Sequence, residues 1–262
     1  MMQSGKRCED KKPLRRSALL RIGKRLRPWF NRIIEKETCV PNTPVLEPTL
    51  FSWIPTLEYA SGTIKQELAA ILARRDNVPA LRDLSPDHTR IAVDTRWKSF
   101  FLYGYGVRVE ENCALAPVTS DLISRIPDLN SAFFSILEPG ASIPPHFGVT
   151  KGLLTCHLGL LVPEDAEACW IDIDGQRYRW RNGRCFIFDD TYRHFVENHT
   201  SEQRVVLLIQ FERPTRGFSW LVQKFFLFAI RHSSFVRDVS RNLEKWNQGR
   251  VFRDPNTTAL DT

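Results

Sequence analysis

The chain has 262 residues, 42% apolar and 26% charged, with a formal net charge of +7 at pH 7. That length and balance suit one large globular domain with extensions and exclude disordered and collagen-like classes, and apolar runs as short as Phe225-Phe226-Leu227-Phe228-Ala229-Ile230 exclude a bilayer-spanning helix of ~20 residues. The charge is localised: residues 1–36 hold twelve Lys/Arg against three Asp/Glu, a net of +9, and the remainder is slightly acidic, which speaks against a nucleic-acid partner.

The basic segment is an amphipathic helix in the making. Leu19, Ile22, Leu26, Phe30 and Ile33 recur at three- and four-residue steps, Arg15, Arg21, Lys24, Arg25 and Arg32 fill the intervening positions, and Pro28 is expected to interrupt it. Two readings stay open for this leader. It is a peripheral contact for an anionic membrane or acidic partner, or it packs on the domain with a solvated basic face. A mitochondrial presequence is a third option, opposed by Glu9-Asp10.

Three prolines within Cys39–Thr49 predict an extended connector, and Thr56–Asp76 predicts a helix. Between Pro79 and Asn130 a strand is expected around Phe100–Tyr105 and a short helix around Ser120–Ile126. From Ser131 the pattern becomes seven β-rich runs about ten residues apart: SAFFSILEPG, GLLTCHLGLLVP, ACWIDIDG, QRYRW, GRCFIFDD, HFVEN and RVVLLIQFERP. This spacing predicts a mainly β fold with flanking helices, a sandwich or a jelly-roll barrel (double-stranded β-helix). After Pro214 the pattern returns to helix, with an apolar patch at Trp220–Ile230. The expected division is a basic leader and connector at 1–42, the barrel at 43–214 and a helical tail at 215–262.

Six scattered cysteines with neither a CxxC pair nor a secretory signal point to a reducing, cytoplasmic setting. Cys156, Cys169 and Cys185 lie within apolar runs and read as small buried hydrophobes.

His146, His157 and His194 fall at strand ends or edges of the β-rich block, and Arg204 follows ten residues after the last. Iron(II) that must leave positions open is commonly held by two neutral imidazoles and one carboxylate. A jelly roll supplies these as His-x-Asp plus a distant His. Here the first half reads His146-Phe147-Gly148, without the carboxylate, and His194 lies 48 residues on. Arg204 opens the last strand, where a guanidinium can reach across a barrel and grip a dicarboxylate such as 2-oxoglutarate at two points.

HFGVTKGLLTCHLGLLVP, GRCFIFDDTYRHFVEN and QRVVLLIQFERP resemble the aspartyl/asparaginyl β-hydroxylase family of iron(II)- and 2-oxoglutarate-dependent dioxygenases, whose bacterial branch includes enzymes similar to lipid A hydroxylases. The resemblance runs from about Phe51 to Pro214. It implies a metal held by His146 and His194 alone, with Gly148 where the carboxylate would stand. It further implies that His157, Arg204 and Ser135 bind 2-oxoglutarate, with O2 as co-reactant and ascorbate supportive. One position departs: the family commonly has arginine two residues before the second histidine, and this chain has Thr155, so another base such as Lys151 is expected to assist or the grip to weaken. Asp189 and Asp190 are expected to orient His194 through its non-ligating nitrogen.

Zinc would also accept two histidines and an open position, although a tight zinc site normally has a third protein ligand. An inactive barrel used as a membrane-surface scaffold is the non-enzymatic alternative. The expected activity is hydroxylation of an unactivated C–H, with a lipid acyl chain at the inner membrane face, an aspartyl or asparaginyl residue, or a free amino acid as candidate substrates.

Overall fold

A computed structural model describes residues 18–73, 78–84, 89–165 and 167–251. In chain order the elements are α1 (Ala18–Lys36), β1 (Val45–Leu46), α2 (Ile54–Tyr59), α3 (Ser61–Ala73), α4 (Leu81–Leu84), β2 (Trp97–Gly104), β3 (Val107–Arg108), α5 (Glu110–Cys113) and α6 (Pro117–Ser124). The β-rich block follows as β4 (Leu129–Leu137), β5 (Ser142–His146), β6 (Leu153–Leu161), β7 (Cys169–Ile173), β8 (Gln176–Tyr178), β9 (Cys185–Phe188), β10 (His194–Asn198) and β11 (Arg204–Glu212). The helices α7 (Gly217–Arg231) and α8 (Ser234–Val251) close the described chain.

Each of the seven β-rich runs forms a strand, and β5 is an eighth that the Pro144-Pro145 pair hid. The strands make two antiparallel sheets, β1-β9-β6-β11-β4-β2-β3 and β5-β10-β7-β8. Taking β4 to β11 as eight successive strands, the sheets interleave so that first pairs with eighth and second with seventh, which is a jelly roll. β1, from the proline-rich connector, adds to the large sheet at β9, so part of that connector belongs to the barrel.

The side-chain period of two then sorts each strand of the large sheet. Phe134 and Ile136 on β4, Leu154, Cys156 and Leu158 on β6, and Val205, Leu207 and Ile209 on β11 pack outward under α2, α3 and α6. Their alternates, Phe133, Leu137 and Val206, face the small sheet, whose Ile143, Ile171, Ile173 and Val196 complete the second core. By the same parity Ser135, Thr155, His157, Arg204 and Gln210 point into the barrel. Cys156, Cys169 and Cys185 are buried and unpaired, as their apolar surroundings predict.

Two expectations for the flanks change. The segment around Thr56–Asp76 splits into α2 and α3, and Asp76 lies outside the described residues. α1 runs through Pro28 without ending there; the exposed proline forfeits one hydrogen bond inside an otherwise continuous helix. α1 packs on α7: Phe30 stacks on Phe226 at 4.7 Å, and Ser219 Oγ donates to the carbonyl of Ile33. Glu37, just past α1, caps α7 by accepting the backbone N–H of Ser219 at 2.8 Å, which holds its carboxyl below the usual range. Gly217 is required at this junction, since its φ of +56° and the Glu37 carboxylate 2.8 Å from a would-be Cβ both exclude a side chain. Arg15, Glu9 and Asp10 lie outside the described residues, as do the side chains of Leu19, Ile22, Arg21, Lys24 and Arg25.

Candidate active site

His146 and His194 meet across β5 and β10, registered opposite one another with ring centroids 4.0 Å apart. The register slips between this pair and Val196↔Ile143, so two residues of β5, Pro144 and Pro145, oppose one of β10, Phe195. The extra residue is a bulge at the diproline, where no ladder N–H is available to lose. It turns His146 to the same side as Ile143. The diproline that hides β5 in the sequence is therefore the device that aims His146 into the barrel.

Both imidazoles are held neutral. Nδ1 of His146 contacts the carbonyl of Pro144 at 2.9 Å, and Nδ1 of His194 that of Tyr192 at 2.9 Å. Each Nδ1 is thus the protonated nitrogen, and each Nε2 keeps a free lone pair. Burial, with the proximity of His194, pushes His146 down to about 4, and burial lowers His194 also. The expected aspartate side chain does not take the Nδ1–H of His194, which goes to the Tyr192 carbonyl two residues before the ring, while the Asp189 charge and the Asp190 backbone also act on that imidazole.

The two aspartates have other roles. Asp189 is fully buried, pairs with Arg213 and with Lys151 Nζ at 2.9 Å, and accepts from the backbone N–H and hydroxyl of Thr191. Lys151 also donates to Asn42 and lies over the Tyr192 ring, which ties it to the loop. Asp190 fills the space beside Gly148: a Cβ there would lie 1.8 Å from its Oδ1. Glycine stands at this position because a neighbouring carboxylate occupies its side-chain volume. Burial and then the charge of Asp189 raise Asp190 to about 7, Thr155 and Gln210 donate weakly to its Oδ2, and its Oδ1 is buried without a partner. Thr155, at the family's arginine position, supports this carboxyl.

Deeper in the barrel lies a group of donors. Arg204 is 1% exposed, stacks over Trp180 at 4.8 Å and, among the described residues, faces no carboxylate and reaches only the Ser135 carbonyl, at 3.4 Å. Its Nε is buried without a partner, and burial lowers the guanidinium to about 10. His157 accepts the Trp180 indole N–H at Nδ1, 3.1 Å away, which leaves Nε2 as a buried donor with nothing to donate to. Burial and then Arg204 hold His157 well below the usual histidine range, so it is neutral. Ser135 Oγ receives the Trp97 indole N–H at 3.0 Å. Phe188 bridges the two ends, packing edge-on against His157 and His194.

Trp97 and Trp180 were missed by sequence reasoning. Trp180, in the run QRYRW, gave only a strand signal, and Trp97 reaches Ser135 through a strand pairing 38 residues away, for which no local pattern exists.

The residues fit the groups the sequence implied. Among the described residues no cluster of three His, Cys, Asp or Glu could hold a metal, so any ion here would take two protein ligands and exchangeable ones besides. An unpaired buried guanidinium and an orphaned imidazole N–H together call for an anion.

Fold and site together define a jelly-roll protein with two neutral imidazoles and an anion-seeking end in one barrel. The chain belongs to the aspartyl/asparaginyl beta-hydroxylase family, whose sequence profile matches residues 58–214. It is 36% identical to the ornithine lipid ester-linked acyl 2-hydroxylase of Rhizobium tropici over 238 residues, 89% of this chain and 83% of that protein. It is 31% identical to human aspartyl/asparaginyl beta-hydroxylase over 49% of this chain and 17% of that one. Among solved structures, a Cupin 2 conserved barrel domain protein from Salinispora arenicola matches at 16% identity, covering 56% of this chain and 93% of that one with a TM-score of 0.31. The relatives are hydroxylases, which supports an enzymatic role. No described helix is long and apolar enough to cross a membrane.

Proposed function

We propose that this protein is an iron(II)- and 2-oxoglutarate-dependent hydroxylase of a lipid acyl chain. The observation that carries the cosubstrate is the buried, unpaired Arg204 beside the orphaned Nε2–H of His157, in the same barrel as the two free imidazole nitrogens. His146 and His194 would hold the ion through Nε2. Arg204 would take the far carboxylate of 2-oxoglutarate, with Ser135 and His157 beside it. When bound, the metal and cosubstrate supply the oxidising power: one atom of O2 enters a substrate C–H as hydroxyl, and 2-oxoglutarate leaves as succinate and carbon dioxide.

The protein's own contribution is placement. The two backbone carbonyls fix both imidazole tautomers, and Trp180 holds Arg204 flat and His157 in the tautomer that donates. Phe188 and the second core keep water from the space between. Asp190, raised to about 7 and with one oxygen unsatisfied among the described residues, would hold or release a proton beside Gly148.

The acyl substrate is favoured by the extent of likeness. The ornithine lipid acyl 2-hydroxylase matches 89% of the chain, whereas human aspartyl/asparaginyl beta-hydroxylase matches about half. Hydroxylation of an aspartyl or asparaginyl residue, or of a free amino acid, is the second reading.

Anaerobic titration tests the metal and cosubstrate together, because a 2-oxo acid chelated to iron(II) gives a visible charge-transfer absorption. The band is expected in the native protein and is expected to vanish in His194→Ala. Its absence from a protein that binds zinc tightly would replace this reading with the zinc alternative.

A further inference from the structure

α7 is apolar on two sides. Val222, Phe226 and Leu227 are buried against the domain, while Phe218, Leu221, Phe225 and Phe228, three and four residues apart, form a second stripe in which every member is more than half exposed. A helix that only covers a barrel requires one apolar stripe. α1 extends the second one: exposed Leu26 and Trp29 lie on the helix packed beside it, and Trp29, Phe30, Phe218, Leu221, Val222 and Phe225 line an open groove of about 400 Å³.

The same face is basic. α1 holds six Lys/Arg and one Glu; Arg32 and Lys36 are exposed and form no ion pair among the described residues, and Arg216 is exposed at the start of α7. Residues 1–17 add six Lys/Arg against two acidic residues. This surface also adjoins the loop that follows His146. The loop after His146 is fixed to both helices, Lys151 donating its backbone N–H to Asn31 at 3.0 Å and Gly152 lying against Gln223, and it exposes Phe147 and Val149.

We infer that the outer face of α1 and α7 is a docking surface for an anionic lipid bilayer, seating its aromatic stripe in the interface with the loop at Phe147 and Val149 facing the membrane. Aromatic and leucine side chains on one face, with lysine and arginine around them, are what an interfacial helix requires. A second copy of the chain fits the face poorly, since two such strongly basic helices would repel when brought together. The inference rests on the acyl-lipid reading and adds to it the surface by which a bilayer substrate is reached.

Flotation of the full chain with phosphatidylcholine vesicles, with and without about one quarter phosphatidylglycerol, tests this. Binding to the anionic vesicles at low salt is expected, falling at least about tenfold with added salt or without the anionic lipid. The double substitution Leu221→Glu and Phe225→Glu, at exposed positions, is expected to reduce binding by a similar factor while succinate formation from 2-oxoglutarate without lipid is unchanged. Quenching of tryptophan fluorescence by bromine-labelled acyl chains in the native protein and not in the double variant would support the inference. Undiminished flotation of the double variant overturns the inference, as does a dimer that these substitutions dissociate and that binds no vesicle. Vesicle binding with no oxygen added to any acyl chain would leave the docking surface standing and sink the acyl-lipid reading.

Discussion

Replacing Arg204 with methionine is expected to uncouple cosubstrate binding from folding. Methionine keeps most of the buried stem beneath Trp180 and removes a charge that faces no carboxylate, so the metal-free protein is expected to be no less stable than the parent. Losing a two-point, charge-assisted contact costs about 2–4 kcal/mol, which weakens 2-oxoglutarate binding roughly 30- to 1,000-fold. Thermal unfolding under nitrogen, with manganese(II) in place of iron, reads both effects. At about 100 times the native dissociation constant, 2-oxoglutarate adds about 2.7 kcal/mol, or roughly 5–10 °C for a domain of this size. The variant is expected to show at most about a third of that shift from an unchanged or higher baseline. A full ligand-induced shift in Arg204→Met would refute the anion site. A baseline lowered by several kcal/mol would make Arg204 a structural anchor instead.

Three further outcomes follow from the geometry. Gly148→Ala drives a Cβ into Asp190 and is expected to cost about 1–3 kcal/mol of stability, with manganese affinity falling too; adding Asp190→Gly is expected to recover at least 1 kcal/mol of the stability loss, and simple additivity in chemical denaturation would contradict the contact. Asp189→Asn breaks a fully buried pair with Arg213 and releases Lys151, so a loss of about 3–5 kcal/mol is expected in urea unfolding, against under 1 kcal/mol if the pair were screened. His146 has a folded value of about 4, below the unfolded 6.5, so its own contribution to metal-free stability is full above about pH 6.5 and is lost as pH falls, about 3 kcal/mol of it by pH 4, while Asp190, raised to about 7, acts in the opposite sense; the unfolding free energy of the native protein minus that of His146→Gln is expected to fall by about 3 kcal/mol between pH 7 and 4, and a pH-independent difference would mean that this ring is solvated.

Much of the site was legible because strand parity is local. Once the seven runs are recognised as strands, the period of two puts Ser135, His157 and Arg204 on the same interior face, and their order follows from the chain. What stayed hidden depends on contacts between distant segments. The diproline reads as a strand breaker, and only the pairing with β10 reveals a bulge. Asp189 and Asp190 are adjacent, yet one closes a buried ion pair and the other fills the side-chain space of Gly148, 42 positions away, a difference that no pattern of residues carries. Trp97 and Trp180 were invisible as partners of Ser135 and His157 for the same reason. The leader showed its stripe and its charge in sequence, and the structure makes the two readings compatible, since Phe30 and Ile34 pack inward while Leu26 and Trp29 remain exposed.

The central claim is tested most directly by incubating the purified protein with iron(II), 2-oxoglutarate, heavy-isotope oxygen gas, vesicles containing an ornithine lipid and an aspartyl peptide, then weighing lipid and peptide by mass spectrometry. The account predicts an acyl chain heavier by one labelled oxygen, formed alongside an equal amount of succinate and absent with His146→Ala. An acyl chain of unchanged mass beside a hydroxylated aspartyl peptide, or an oxygen drawn from water and formed without succinate, would contradict it.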